Sequence, residues 1–269
     1  MQKKNNSLTC WVITEGMAGT ENQCVGIAEA LGISPKIIKL TLKEPWATLT
    51  PWLGFEQSWT FDPALSGPWP DLLLTSGRKA ISAARYIKKK SGGKTFVLHT
   101  QDPRSSLKPF DIVAVPYHDP SRGENVYVTD AAPNRITPEK LSEAKEQFST
   151  LKKLPAPRIA VLIGGSSQAY TMSYDITQQL IKRLNKLREQ GFSLMITASR
   201  RTGDENMRLL KEAFADDEGA DFYLGDGENP YFGYLSYADY VLVTADSVSM
   251  ISDALTTGMP TYIIPLEGG

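Results

Sequence analysis

The segment from Tyr240 to Pro265, YVLVTADSVSMISDALTTGMPTYIIP, constrains this chain most. It reads as strand, polar loop, short helix, Gly-x-Pro turn and second strand. Val241, Leu242 and Val243 form a short continuous apolar run, the pattern of a strand buried on both faces. Thr244 to Ser249 then put hydroxyls and one carboxylate where the chain must turn. Met250 to Leu255 have helical apolar spacing, with Gly258 as the expected left-handed stop and Pro260 just after it. Thr261 to Ile264 is the next strand. Such a unit belongs to an open α/β sheet, in which ligands bind outside the carboxyl ends of the strands. Free backbone N–H groups and the helix dipole favour an anion there, typically phosphate.

The same alternation recurs along the chain. Cys10 to Thr14 reads as a first buried strand, followed by Gly16 and Gly19. Thr20 and Gln23 have capping-box spacing, which predicts a helix from about Glu21 that ends at Gly32. Lys36 to Leu40, Asp71 to Thr75, Lys94 to His99 and Asp111 to Val115 read as further strands. Between Asp71 and Lys94, Ile81, Ala84 and Ile87 mark a helix with Arg78 and Lys79 in its first turn. Pro45 to Pro70 is irregular and carries Trp46, Trp52, Trp59 and Trp69, which read better as anchors of a long connection than as an aromatic binding surface. Thr137-Pro138-Glu139 starts a charged helix reaching about Leu151. The prolines of Lys152 to Pro157 mark a linker and a domain boundary near residue 154. A second α/β pattern follows. Arg158 to Ile163 is a strand, Gly164 to Ser167 a Gly-rich turn, Ile176, Leu180, Leu184 and Leu187 a helix stripe, and Phe192 to Thr197 and Asp221 to Leu224 further strands. The expectation is two Rossmann-like domains, 1–154 and 155–269.

Totals exclude several classes. With 41% apolar and 22% charged residues the chain supports a packed core. A net charge of −1 without a long basic run disfavours nucleic acid as a partner. Two cysteines and two histidines give neither a disulfide scaffold nor metal-ligand spacing. No apolar run approaches a transmembrane span, and the first residues lack a secretory h-region, so a cytoplasmic location is expected. No D-x-D pair is present, so neither a metal nor another cofactor is called for.

ENQCVGIAEALG, LLTSGRKA, QDPR, VPYHD, NRITPEKL, LIGGSSQAY, TASRRT, ENPYF and VTADSVSMISDALTTGMP, in that order, resemble the ELM (elongated-mitochondria) family of mitochondrial fission proteins. Its many bacterial members are often labelled nucleoside-diphosphate-sugar epimerases. The resemblance implies a GT-B-like fold, with two Rossmann-like domains facing a cleft and a nucleotide-sugar site on the second domain. Members continue through further helices where this chain stops at Glu267-Gly268-Gly269, so the resemblance also implies a missing C-terminal part. It places Asp253 at the position of a helix carboxylate that holds the ribose in GT-B enzymes, where Glu is commoner.

Each candidate residue has a plainer alternative. Ser247 and Ser249 suit a diphosphate, or Ser247 and Asp246 merely cap the helix. Gly164, Gly165 and Ser166 let a ligand approach closely, or form a tight turn. Arg200 and Arg201 suit a bidentate phosphate clamp, or a solvated turn. Asn229 with Pro230 and Tyr231 lies against a nucleobase, or caps a helix. Glu15, Asp102, His118 and Asp119 all follow strand ends, and the first three are candidate catalytic residues for deprotonating an acceptor. The functions in view are a glycosyltransferase-like protein binding a nucleotide-sugar or other phosphate-bearing small molecule, a nucleoside-diphosphate-sugar epimerase, and a non-catalytic adaptor for a dynamin-like GTPase. The last would add a protein or peripheral-membrane partner.

Overall fold

The computed structural model describes residues 8–268. The chain divides into two compact units, the first ending at Arg135 and the second beginning at Ile136.

In the first unit the elements run β1 (Cys10–Thr14), α1 (Ala18–Ala30), β2 (Lys36–Lys39), β3 (Thr41–Leu42), α2 (Trp46–Leu49), β4 (Phe61–Asp62), β5 (Leu72–Ser76), α3 (Ala80–Lys90), β6 (Phe96–Thr100), β7 (Ile112–Pro116) and β8 (Val126–Thr129). Six of the strands make a parallel sheet in the order β2-β1-β5-β6-β7-β8. Successive strand residues face opposite sides. Leu73 accordingly packs with Ile81, Ala84 and Ile87 of α3. Leu74 packs with Cys24, Val25 and Ala28 of α1.

Two expectations change in this unit, and one strand is added. Helix α1 begins at Ala18, ahead of the predicted capping box. Thr20 lies inside the helix, and its hydroxyl donates back to the Met17 carbonyl at 3.0 Å instead of capping. Helix α3 begins at Ala80, with Lys79 as its cap residue and Arg78 before it. Strand β8 is not among the expected strands, although Val126-Tyr127-Val128-Thr129 is a short β-branched and aromatic run between Asn125 and Asp130. In the 45–70 connection, Trp46 meets Trp59 edge-on at 5.1 Å, and Trp69 packs against Trp11 and Tyr86 at 6.1 and 5.8 Å. Trp52 and Trp59 nevertheless stay largely exposed, at 73% and 55%.

The second unit runs α4 (Pro138–Gln147), β9 (Arg158–Ile163), β10 (Tyr170–Thr171), α5 (Tyr174–Glu189), β11 (Ser193–Ala198), α6 (Asp204–Phe214), β12 (Ala220–Tyr223), α7 (Tyr231–Tyr237), β13 (Tyr240–Thr244), α8 (Val248–Thr256), β14 (Thr261–Ile264) and β15 (Glu267–Gly268). Its main sheet is parallel, in the order β12-β11-β9-β13-β14. Ile159, Val161, Leu194 and Ile196 pack on Leu180 and Leu184 of α5 and Leu210 and Phe214 of α6. Ala160, Leu162, Met195 and Val243 face Tyr234 and Leu235 of α7 and Ala254 of α8. The unit starts before the proline-rich segment, because Ile136, Leu151 and Leu154 are buried in this second core. Tyr237 also ties α7 to α4, its hydroxyl donating to the Lys145 carbonyl at 2.7 Å.

Candidate functional site

Strands β11, β9 and β13 are neighbours in register, with Ala198 opposite Ile163 and Val243 opposite Leu162. Their carboxyl ends therefore release three loops at one sheet edge: Gly164 to Ser166, Ser199 to Thr202, and Ala245 to Ser247. Asp246 knits the three together. Its side chain is fully buried. Its Oδ1 accepts the Thr244 hydroxyl at 2.6 Å, and its Oδ2 accepts the Gly165 N–H at 3.1 Å and pairs with the Arg201 guanidinium at 2.8 Å. The Gly164 N–H donates to the Thr244 hydroxyl at 2.7 Å. The Gly164 carbonyl accepts the Ser199 and Thr202 hydroxyls at 2.7 and 2.6 Å. Every polar group of this buried knot has a partner, which is the condition for a buried charge to persist.

Both glycines are demanded by this packing. A Cβ on Gly164 would stand 2.3 Å from both Asp246 carboxylate oxygens. On Gly165 it would stand 2.0 Å from the Arg201 carbonyl oxygen, on a backbone at φ +150°. Ser166 is exposed. Its N–H donates to the Arg201 carbonyl at 3.0 Å, and its hydroxyl accepts the Met172 N–H at 3.0 Å.

Helix α8 begins on the same edge, two residues after Asp246. Ser247 is its N-cap, accepting the Met250 N–H at 3.4 Å, and Ser249 lies half-buried in its first turn. Arg200 and Arg201 lie in a short 3-10 turn after β11. Arg201 is tethered with its side chain 43% exposed, whereas Arg200 is exposed and forms no ion pair among the described residues. Asn229 is exposed and accepts the Tyr231 N–H at 3.0 Å, one residue before the Pro230 cap of α7. Asp253 is nearly buried and accepts the Tyr231 hydroxyl at 2.8 Å. Burial raises the Asp253 carboxyl to about 6, with the Tyr231 hydrogen bond pulling the other way. The Tyr231 phenol is held well above its ordinary range, first by burial and then by the Asp253 charge.

The candidate acid–base residues all lie in the first unit, in loops after its parallel strands. Glu15 follows β1; its carboxylate accepts the Lys79 N–H at 3.0 Å and lies 3.5 Å from the Lys79 ammonium. Asp102 follows β6 and accepts the Arg104 N–H and the Ser121 hydroxyl, each at 2.7 Å. The Asp102 N–H donates to Asp119 at 3.2 Å, and Asp119 lies 3.9 Å from exposed His118. Asp102, His118 and Asp119 thus form one cluster, while Glu15 is held separately at the start of α3.

A family model described as Mitochondrial fission ELM1 matches residues 18–269. The chain belongs to that family. The Mitochondrial fission protein ELM1 of Arabidopsis thaliana is 26% identical over 332 aligned positions, which cover 94% of this chain and 78% of that protein. Among solved structures, the UDP-GlcNAc 2-epimerase of Methanocaldococcus jannaschii in complex with UDP-GlcNAc and UDP has a TM-score of 0.53 at 12% identity, covering 95% of this chain and 83% of that one. The S. aureus MnaA–UDP co-structure has a TM-score of 0.52 at 9% identity, covering 95% and 79%. At these identities the likeness is one of fold. The ELM1-family chain has the parallel α/β architecture of the GT-B class, as the resemblance implied.

In this ELM1-family chain, residue reading alone misses Thr244, Asp246, Ser199 and Thr202 as the frame of the second-unit edge. Their hydroxyls and carboxylate look like ordinary loop polarity until β9, β11 and β13 are known to be neighbours. The Tyr231–Asp253 pair is equally hidden, because its members are 22 residues apart on different helices. The only available signal is that both fall within motifs of the family resemblance.

Proposed function

We propose that the second unit binds the diphosphate of a nucleotide-sugar, or a related phosphate-bearing small molecule, at the carboxyl edge of β9, β11 and β13. One observation carries this reading. The N-terminus of α8, the two-glycine turn and the Arg200–Arg201 turn converge on one sheet edge, held by the buried Asp246. Helix N–H groups, the helix dipole and a guanidinium fork together form an anion site. Asp253 supplies a weaker ribose site than the resemblance implies, because Tyr231 already occupies one of its oxygens.

If the protein is an enzyme, glycosyl transfer is the leading reaction, and Glu15, Asp102 and His118 are the proposed sources of its base. An epimerase is the second reading, favoured by the UDP-GlcNAc 2-epimerases among the proteins of similar fold. It predicts isomerised donor without an acceptor. The family's description in mitochondrial fission favours an adaptor role as the non-catalytic alternative.

Isothermal titration of UDP, GDP, ADP and CMP separates the ligand-binding readings from the adaptor. Binding of one nucleotide, lost on Arg201→Ala, is the expected result. No heat from any of the four would remove the nucleotide site and leave the adaptor reading in front.

A further inference from the structure

Building on the anion site above, we propose that Asp246 is a positioning residue that makes Arg201, and not its neighbour Arg200, the phosphate-binding arginine. Asp246 reaches the ligand only through the guanidinium. The two arginines are adjacent in sequence and identical in chemistry, yet the structure treats them differently. Arg200 is an exposed, untethered charge whose field is screened by salt. Arg201 is fixed by a 2.8 Å contact to a fully buried carboxylate, with its side chain still 43% exposed. A guanidinium carries five N–H donors in a rigid fork, so one face can hold Asp246 while others remain for a ligand.

The carboxylate is itself over-determined. Thr244, the Gly165 N–H and Arg201 all bond it, and it fills the space that a side chain on Gly164 would need. It also directly precedes Ser247, the cap of α8. One short segment therefore fixes both the guanidinium and the helix N-terminus, setting the spacing between two anion-binding elements. Preorganisation of this kind removes the ordering cost that a free arginine bears on binding.

Charge alone predicts the opposite behaviour. Asp246 places a negative group beside a site for an anion, so a purely coulombic role would make its neutralisation tighten binding. The positioning role makes neutralisation weaken it. Asn at this position would aim an amide N–H₂ at one of its present donors, and the fork would lose its anchor.

The test is titration of inorganic pyrophosphate, at one fixed ionic strength, into the unsubstituted chain and into the Asp246→Asn, Arg201→Ala, Arg201→Lys, Arg200→Ala and Asp246→Asn/Arg201→Ala variants. Asp246→Asn should weaken binding about tenfold, the scale of one lost hydrogen bond to a charged group, yet add nothing in the Arg201→Ala background. Arg200→Ala should cost only about two- to threefold, vanishing at high salt. Arg201→Lys, which keeps the charge and discards the fork, should lose nearly as much as Arg201→Ala. Tighter binding by Asp246→Asn, equal losses in both backgrounds, or full affinity in Arg201→Lys would overturn the positioning role while leaving the anion site standing. No binding by the unsubstituted chain would overturn both. Coupling between Asp246 and Arg201 in denaturation midpoints would then still report the ion pair separately.

Discussion

At the scale of single residues, Gly164 and Gly165 show that two adjacent glycines can be demanded by packing that the sequence does not reveal. Adjacent glycines after a strand fit both close ligand approach and a tight turn. The structure supplies a third reason: Gly164 makes room for the Asp246 carboxylate and Gly165 for the Arg201 carbonyl. A methyl group at either position meets backbone or a buried charged group, so relief requires movement of the whole knot. Gly164→Ala is expected to lower stability by about 3 kcal/mol, the upper range for overpacking, and chemical denaturation measures it. A change of only a few tenths would mean that Asp246 can leave its slot freely.

Elements add what residues cannot show. The helix over 174–189 is legible because apolar side chains recur on one face, and the strands because apolar runs are bounded by turns. The start of α1 is misleading in the sequence because Thr20 and Gln23 satisfy a capping spacing that the backbone does not use. Pairing between α7 and α8 through Tyr231 and Asp253 is not legible, because no local pattern reports a contact between helices.

That pair has a pH signature. The folded state holds the Asp253 proton up to about 6, whereas an unfolded carboxyl releases it near its ordinary value of 3.8. The folded state thus binds more protons between these values, and its stability falls as pH rises through the window. The fall attributable to Asp253 is on the order of 3 kcal/mol, from about 1.4 kcal/mol for each tenfold change in proton affinity. His99 works in the opposite sense in the first unit, because burial holds its imidazole down to about 3 and acid must charge it. The difference in stability between the unsubstituted chain and Asp253→Asn isolates the carboxyl. It should drop as pH rises from 3.8 to about 6 and be level above. A flat difference throughout would show that Asp253 ionises as it does in water.

For the whole molecule, two α/β units are legible from the repeated alternation of strand and helix, and the family from motifs in order. The structure starts the second unit at Ile136, because α4 and the turn after it bury Leu151 and Leu154 with α7. Prolines mark where regular structure stops, not where a core ends. Strand order is the missing quantity for function: only β12-β11-β9-β13-β14 brings the three polar loops together. Side-chain identity located the ingredients, and topology assembled them.

The proposed function stands or falls on whether this edge of the second unit holds a diphosphate. A crystal structure of the chain with the best-binding nucleotide decides it. Diphosphate density is expected at the N-terminus of α8, within hydrogen-bond distance of its first backbone N–H groups and of the Arg201 guanidinium, with Arg201 still paired to Asp246. Nucleotide density elsewhere would contradict it, whereas a diphosphate at this edge held by Arg200 with Arg201 turned away would contradict the positioning role of Asp246.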